Sequence, residues 1–512
     1  MEPGGARANP TRLNPHLRSR YQKRRQPTPH VMSRRLRTFK RWMRSHGIDC
    51  SDALELDDAG SESGGGISVR AVCDLTEGDL VATIPKSACL TIRTSGARDM
   101  IESAGLAGCL GLVVALMYER SRGPASRWQG YLQLLPEREC VPLVWTLREV
   151  DTFLSGTELH KAVKQDKTIL CEDWRECIEP LILSGEWKLD RDNFGVEQYF
   201  SAKSLVSSRS FEVDDYHGYG MVPLADLFNH KTGAENVHLT SVCSPSSSDD
   251  EGDDHASDEA SDDKLLIDES DTSSSGEDNT ALEMIIMRNV EAGFEVFNTY
   301  GSMGNAALLH RYGFTEADNP FDIVNIDLAL LVRWCSSTFS NRYARARISL
   351  WRRLNYSGCT SQHTEYFEIS YDGEPQLELR VLLYIIFLAD DAYEKLSYMV
   401  DAFEGPDEST NIVNLIKITR NKFRKVKGHK KPEDIKELLV SENVCSALIS
   451  LADLRESLYG TSSLDEDMNM LKRCCPAKDR KLYHSLILRT SERMILARLR
   501  DYALKRSTGK KA

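Results

Sequence analysis

Two stretches set polar side chains that can orient or bind a reactant directly among apolar ones. The first is Met221-Val222-Pro223-Leu224-Ala225-Asp226-Leu227-Phe228-Asn229-His230; the second is Phe297-Asn298-Thr299-Tyr300-Gly301, running on to Tyr312-Gly313-Phe314. A buried Asn, His or Tyr must find hydrogen-bond partners, and a bound cofactor can supply them as readily as the protein can. Any one of these residues alone reads as a core side chain satisfied by the fold; their clustering is what suggests chemistry. Other chemistries lack their residues. No two cysteines are separated by two residues, His46 and Cys50 stand alone and there is no His-Glu-x-x-His pair, so a metal site has no support. There is no phosphate-cradling glycine loop ending in Lys-Ser or Lys-Thr, and Gly301-Ser302-Met303-Gly304 lacks the first glycine of a hydrolase elbow.

Taken in order, Ser208-Arg209-Ser210-Phe211, Asp226-x-x-Asn229-His230, Asn298-Thr299-Tyr300-Gly301 and Tyr312-Gly313-Phe314 resemble the split-SET protein lysine methyltransferases. That group includes the Rubisco large-subunit methyltransferase, ribosomal-protein methyltransferases and related nuclear enzymes. Gly66 to Ala71, followed by Glu77-Gly78 and Ile84-Pro85, looks like the family's opening strands, and Trp128 to Pro136 resembles the start of its helical insertion. The resemblance covers roughly residues 32–506 and implies an α+β fold. A SET domain of short antiparallel β-sheets with a helical insertion would be followed by an all-α substrate-binding domain.

The resemblance also implies roles. Gly65, Gly66 and Ile67 would run beside S-adenosylmethionine through backbone groups, and Arg209 would meet the cofactor's polar end. Asp226, Leu227, Phe228, Asn229 and His230 would line the cofactor, and Tyr300 would be the active-site tyrosine. Tyr312, Gly313 and Phe314 would either touch the cofactor or pack in the core. The opening motif departs from the family pattern: Gly65 stands where an acid is common and Ser68 where glycine is common.

The implied activity is S-adenosylmethionine-dependent methylation of a lysine on a protein substrate, with ribosomal, histone or other nuclear proteins as candidates. Histidine methylation on the same fold, or a catalytically weak binding module for basic proteins, are the alternatives. Methyl transfer from a sulfonium needs an in-line amine and exclusion of water. A free lysine has a pKa of about 10.4, so a narrow apolar channel beside a positive charge would favour the neutral amine.

The elements that must position these residues are partly legible. Ser33 can cap a helix whose apolar face carries Leu36, Phe39, Trp42 and Met43. Ile67–Val72 and Leu80–Ile84 read as strands joined by the turn Thr76-Glu77-Gly78-Asp79, a hairpin. Residues 95–205 read as helical, with Thr146 and Glu149 spaced as a capping box and Asn193 as a cap for the segment through Ser204. Val237–Val242 and Leu282–Arg288 read as paired strands, followed by a short strand Glu295–Asn298. Helical periodicity dominates after Asp327, in runs at Leu377–Ala389, Ile435–Leu451 and Lys481–Leu504.

Charge is segregated within the 512 residues, whose net value is -12. Residues 1–44 hold 13 Lys and Arg against Glu2, whereas residues 243–279 hold 14 acids against Lys264, with ten serines among them. Residues 1–30 therefore read as a disordered basic arm, 31–326 as the SET domain interrupted by a disordered acidic loop at 243–279, and 327–512 as the helical domain. The acid-flanked serines suit phosphorylation. The longest apolar stretch, Ala104 to Tyr118, falls short of the roughly 20 residues of a membrane span, so no membrane association is expected. With no apolar leader, the cysteines read as free thiols, and the basic clusters point to nucleus or cytoplasm, with plastid or mitochondrion as the alternative. Direct nucleic-acid binding is not expected, and no oligomeric state is signalled.

Overall fold

The computed structural model describes residues 32–58, 66–241, 280–354, 366–402 and 439–508. The basic arm, the acidic segment and Gly65 lie outside the described residues. Ser33 accepts from the Leu36 N–H and starts helix α1 (Arg34–Ser45), which buries Leu36, Phe39, Trp42 and Met43 as its periodicity predicts.

Among the described residues four small antiparallel sheets follow. The largest has the order β1 (Asp49–Cys50), β4 (Leu80–Pro85), β9 (Ala281–Ile286) and β8 (Val237–Ser241); β8 pairs with β9 in register Val237 to Ile286 through Ser241 to Leu282. The predicted pairing of those two strands is therefore present. A second sheet joins β2 (Leu54–Asp57) to β3 (Ser68–Ala71), and a third has β7 (Gly218–Met221) between β5 (Leu90–Thr91) and β6 (Ser210–Asp214).

The expected hairpin between the strands at 67–72 and 80–84 does not form. The turn exists, with the Thr76 N–H donating to Asp79 at 2.7 Å. Its outward bonds, however, run from Gly78 and Asp79 to Ile286 and from Glu77 to the Asn289 side chain rather than back to β3. It therefore hands the chain from one sheet to another, and β3 pairs with β2 while β4 pairs with β1 and β9. The predicted strand 295–298 is likewise reduced to two isolated bridges, Arg70 with Glu295 and His230 with Asn298. The second of these stitches the two polar stretches of the sequence together.

Between β5 and β6 the chain is helical, and it includes α2 (Gly108–Ser121) and α3 (Val196–Arg209). The Thr146–Glu149 capping box is present. Asn193 is not a cap: Asp190 accepts from its backbone N–H at 2.8 Å and caps a short helix, and α3 starts afresh after Gly195.

One apolar core runs from α1 through the strands to Val296. A second contains residues from Val324 to Ala503. Because β10 (Val324–Asp327) pairs with β11 (Tyr366–Ile369), a small sheet interrupts the expected all-helical region and straddles the boundary expected at 326. Of the run expected at 435–451, residues 435–438 lie outside the described residues, and a helix over Glu442–Glu456, capped by Ser441, carries the rest. A third, smaller cluster joins Trp145, Val150, Leu154, Leu159 and Val163 to Leu309 on α4 (Asn305–Tyr312) and Leu488 on the long helix α5 (Arg480–Thr508). That cluster fixes α4, and with it the second polar stretch, against both flanking helical regions.

Candidate active site

The bridge between His230 and Asn298 brings Tyr300 alongside the first stretch. The Tyr300 backbone N–H donates to His230 Nδ1 at 3.0 Å, and the two rings stack with centroids 5.0 Å apart. Accepting at Nδ1 requires the His230 proton to lie on Nε2, which has Thr232 Oγ1 at 3.2 Å. Burial pushes the His230 pKa below its ordinary value, with the nearby Glu316 carboxylate opposing, so the neutral ring is favoured.

The Tyr300 hydroxyl donates to the Phe228 carbonyl oxygen at 3.0 Å. Burial raises its pKa well above that of a free phenol, with Arg209 opposing. Tyr300 is thus a neutral hydroxyl at physiological pH, able to orient a partner and unsuited to act as a base.

Tyr312 and Phe314 complete an aromatic cluster. Tyr312 packs on Tyr300 at 4.5 Å between centroids, and Phe314 sits 6.0 Å from His230. Gly313 turns the chain between them at the end of α4 with φ +76. A Cβ there would meet the Cys140 carbonyl oxygen at 2.8 Å, so glycine is required on both counts.

Asn229 Nδ2 donates to Glu295 Oε1 at 2.7 Å and to the Ile67 carbonyl at 3.4 Å, which ties the opening strand to the Asn-His segment. Gly66 lies beside it, and a Cβ built there would meet nothing within 4 Å. Ser68, at the position where the family favours glycine, is buried, and its hydroxyl has no hydrogen-bond partner among the described residues. Leu227 and Phe228 are buried apolar side chains, so only their backbone can face a ligand.

Arg209 and Asp226 pair with each other. Arg209 Nε donates to Glu139 at 2.7 Å, and Nη1 donates to the Asp226 carbonyl at 3.0 Å and to its carboxylate at 3.2 Å. Burial works against the guanidinium's charge, but Glu139 and Asp226 outweigh it and hold its pKa above the ordinary value. Asp226, expected along the cofactor, instead keeps its side chain in the interior, where it also accepts from the Tyr131 hydroxyl at 2.9 Å. The group is a brace under the Asn-His segment.

Motif reading missed the supports. Tyr131 and Glu139 hold Arg209 and Asp226, and Glu316 accepts from the Thr232 N–H at 3.1 Å. His484 of α5 accepts the Thr315 N–H at 3.1 Å, and Asn305 and Glu316 exchange bonds across the turn after Phe314. None carries a local signal, because each acts across a long stretch of chain. Among the described residues no group of three or more His, Cys, Asp or Glu is placed to hold a metal ion, and no helix is long and apolar enough to cross a membrane.

No protein-family model matches the chain. Among solved structures it superimposes on Rubisco LSMT bound to AdoMet with TM-score 0.61 at 18% identity, covering 94% of each chain. The SET domain of LSMT bound to lysine and AdoHcy gives 0.60 at 18% identity, covering 93% of this chain and 92% of that one. The fold is therefore an α+β SET fold.

By sequence the chain is 29% identical over 298 residues to N-lysine methyltransferase setd6 of Xenopus tropicalis, covering 54% of this chain and 56% of that protein. It is 26% identical over 326 residues to ribosomal lysine N-methyltransferase 3 of Saccharomyces cerevisiae, covering 51% of this chain and 59% of the relative. The matches thus span little more than half the length of the curated relatives. Both comparisons bear out the resemblance to SET-domain protein lysine methyltransferases read from the motifs.

Proposed function

We propose that the protein is an S-adenosylmethionine-dependent protein-lysine N-methyltransferase. The observation that carries this reading is the threefold anchoring of Tyr300: its hydroxyl lies on the Phe228 carbonyl, its backbone N–H on a neutral His230, and its ring on Tyr312. The sequence relatives named as lysine N-methyltransferases and the SET fold support the same reading.

The residues present fit the cofactor. The main chain at Gly66 borders open space, and neither Arg209 Nη2 nor Asn229 Oδ1 is hydrogen-bonded to a described residue. The half-buried rings of Tyr300, Tyr312 and Phe314 form an aromatic wall of the kind that attracts a cation. When bound, S-adenosylmethionine supplies an electrophilic methyl group whose transfer needs no metal.

The chain's own residues then have defined tasks. The Tyr300 hydroxyl, with its proton committed to Phe228, keeps its oxygen lone pairs for an amine N–H and so aims the amine lone pair. The surrounding rings exclude water and favour the neutral amine by desolvation. Backbone carbonyls such as that of Phe228 place partial negative charge where positive charge develops. Tyr300 orients; burial, rather than a base, supplies the neutral amine.

The substrate is a protein, and the helical region after residue 327 is the surface proposed to grip it. The basic N-terminal clusters support a nuclear or cytoplasmic setting. The test is incubation of the protein with labelled S-adenosylmethionine and a proteome extract, followed by mass spectrometry of the labelled residue. Methyl-lysine that is absent with Tyr300→Phe supports the proposal. Methyl-histidine would replace the acceptor, and no transfer despite measurable cofactor binding would overturn the enzymatic reading.

A further inference from the structure

Helix α1 carries a second, unused face. Arg37, Lys40, Arg41 and Arg44 recur at the i, i+3, i+4, i+7 spacing, which places them on one stripe away from the buried Leu36, Phe39, Trp42 and Met43. With Met32 they line an open groove. None of the four makes an ion pair with a described residue, and the one side-chain bond among them is from Arg41 to Thr38 on the same helix. Adjacent cations without counter-charges repel one another, so the stripe is set for an anionic occupant.

The chain supplies one with matching charge and a nearby root. Residues 243–279 carry 14 acids and one lysine. They re-enter the described structure at Thr280, whose carbonyl accepts the Lys86 N–H at 2.8 Å, and Ala281 pairs with Pro85. Pro85 in turn lies against Gly47, where a Cβ would be 3.5 Å from its ring, and Gly47 directly follows the C-cap residue of α1. The acidic segment therefore ends two neighbours away from the foot of the basic helix.

The reach is ample. From Arg37 to Arg44 the helix rises about 10 Å, at ~1.5 Å per residue. Extended chain covers ~3.3 Å per residue, so the acids from Asp268 to Asp278 suffice to follow the stripe. A tethered segment of this kind also acts at an effective concentration of about millimolar, which favours it over a free polyanion of equal charge.

We propose that the acidic segment 243–279 docks on the Arg37, Lys40, Arg41 and Arg44 stripe of α1 in the same chain. The docked segment covers the basic stripe against nucleic acid and holds its own acids away from basic protein partners. Added phosphates on its serines would strengthen the contact by further charge pairing.

The test is zero-length carbodiimide cross-linking of the full chain, followed by mass spectrometry, because Lys40 is the one lysine on the stripe. An equal mixture of isotope-labelled and unlabelled protein separates links within a chain from links between chains. The expected result is a Lys40 link to acids of 268–278 within one chain. It should be lost at about 1 M salt, where the screening length is ~3 Å, and reduced at least about tenfold in the triple variant Arg37→Glu, Arg41→Glu, Arg44→Glu. Those three side chains are exposed, and the salt series on unmodified protein stands if the variant fails to fold.

Exclusively inter-chain links, or no Lys40 link while other lysines react, would overturn the proposal. So would an added RNA hairpin bound through α1 with equal affinity before and after the acids of 243–279 are changed to their amides, since the stripe would then be a nucleic-acid face left uncovered.

Discussion

The hydroxyl of Tyr300 donates to the backbone carbonyl of Phe228 at 3.0 Å, a side-chain bond that joins the two polar stretches of the sequence alongside the backbone bridge of His230 with Asn298. Tyr300→Phe removes that bond and keeps the ring packed on Tyr312. Turnover should fall by roughly 10²-fold, the scale of losing one preorganised polar group, while cofactor affinity measured by calorimetry stays within a few-fold. Equal rates for the two proteins would remove Tyr300 from the reaction.

Gly313→Ala should lower both stability and activity. The position has φ +76 and the added methyl would lie 2.8 Å from the Cys140 carbonyl oxygen, so left-handed strain of about 1–2 kcal/mol is joined by a backbone clash. Gly78→Ala is the comparison, because its φ is +91 but nothing lies within 4 Å of the new methyl. Thermal unfolding should place Gly313→Ala clearly below Gly78→Ala, and a reversed order would defeat the packing argument.

Arg455→Ala should destabilise the protein by about 3–5 kcal/mol, the usual consequence of stripping one partner from a buried ion pair. Arg455 is 5% exposed and donates to the carbonyls of Asn325 and Gly156 and to Glu158 and Glu492. Burial pushes the Glu492 pKa up to about 8 even with Arg455 opposing, so loss of the guanidinium would drive that buried carboxyl further towards its neutral form. Adding Glu492→Gln to the variant should recover part of the loss; chemical denaturation reads both.

Acid should weaken the link between α5 and the turn after Phe314. Burial, aided by Arg480, lowers the His484 pKa from 6.5 to about 4, and its Nδ1 must stay unprotonated to accept the Thr315 N–H. In the unfolded chain this imidazole takes up a proton near pH 6.5, but in the folded chain only near 4. Its stabilising contribution is therefore complete above pH 6.5 and is lost as the pH falls from there towards 4. About 1.4 kcal/mol per pH unit bounds the effect at roughly 3 kcal/mol. His484→Gln should flatten the stability curve across that window.

What could be read from the sequence was mostly local. The Ser33 cap and the Thr146–Glu149 box depend on residues three apart, and the strands at 237–241 and 281–286 announce themselves by alternation. Asn193 failed as a cap because Asp190, three residues earlier, takes the position and Asn193 becomes its donor. The strands before and after Thr76 were assigned to each other because nothing local reveals that β9, some 200 residues on, claims the second.

The site divides in the same way. Asn229, His230 and Tyr300 stand in contiguous motifs, whereas Glu139 reaches Arg209 across 70 residues, Tyr131 reaches Asp226 across 95 and His484 reaches Thr315 across 169. The inward turn of Asp226 follows from those distant partners and could not be inferred from its own neighbours.

Helix α5 does different jobs at its two ends. Its first turns touch Gly313, Thr315 and Glu149, through Arg480, His484 and Lys481, while Ile495, Leu496, Leu499 and Ala503 fill the second core. A chimaera that exchanged everything beyond residue 327 for a relative's sequence would therefore import foreign contacts into the aromatic cluster. For such a chimaera to keep the aromatic cluster's own contacts, the crossover must return to this chain's own residues for the opening turns of α5.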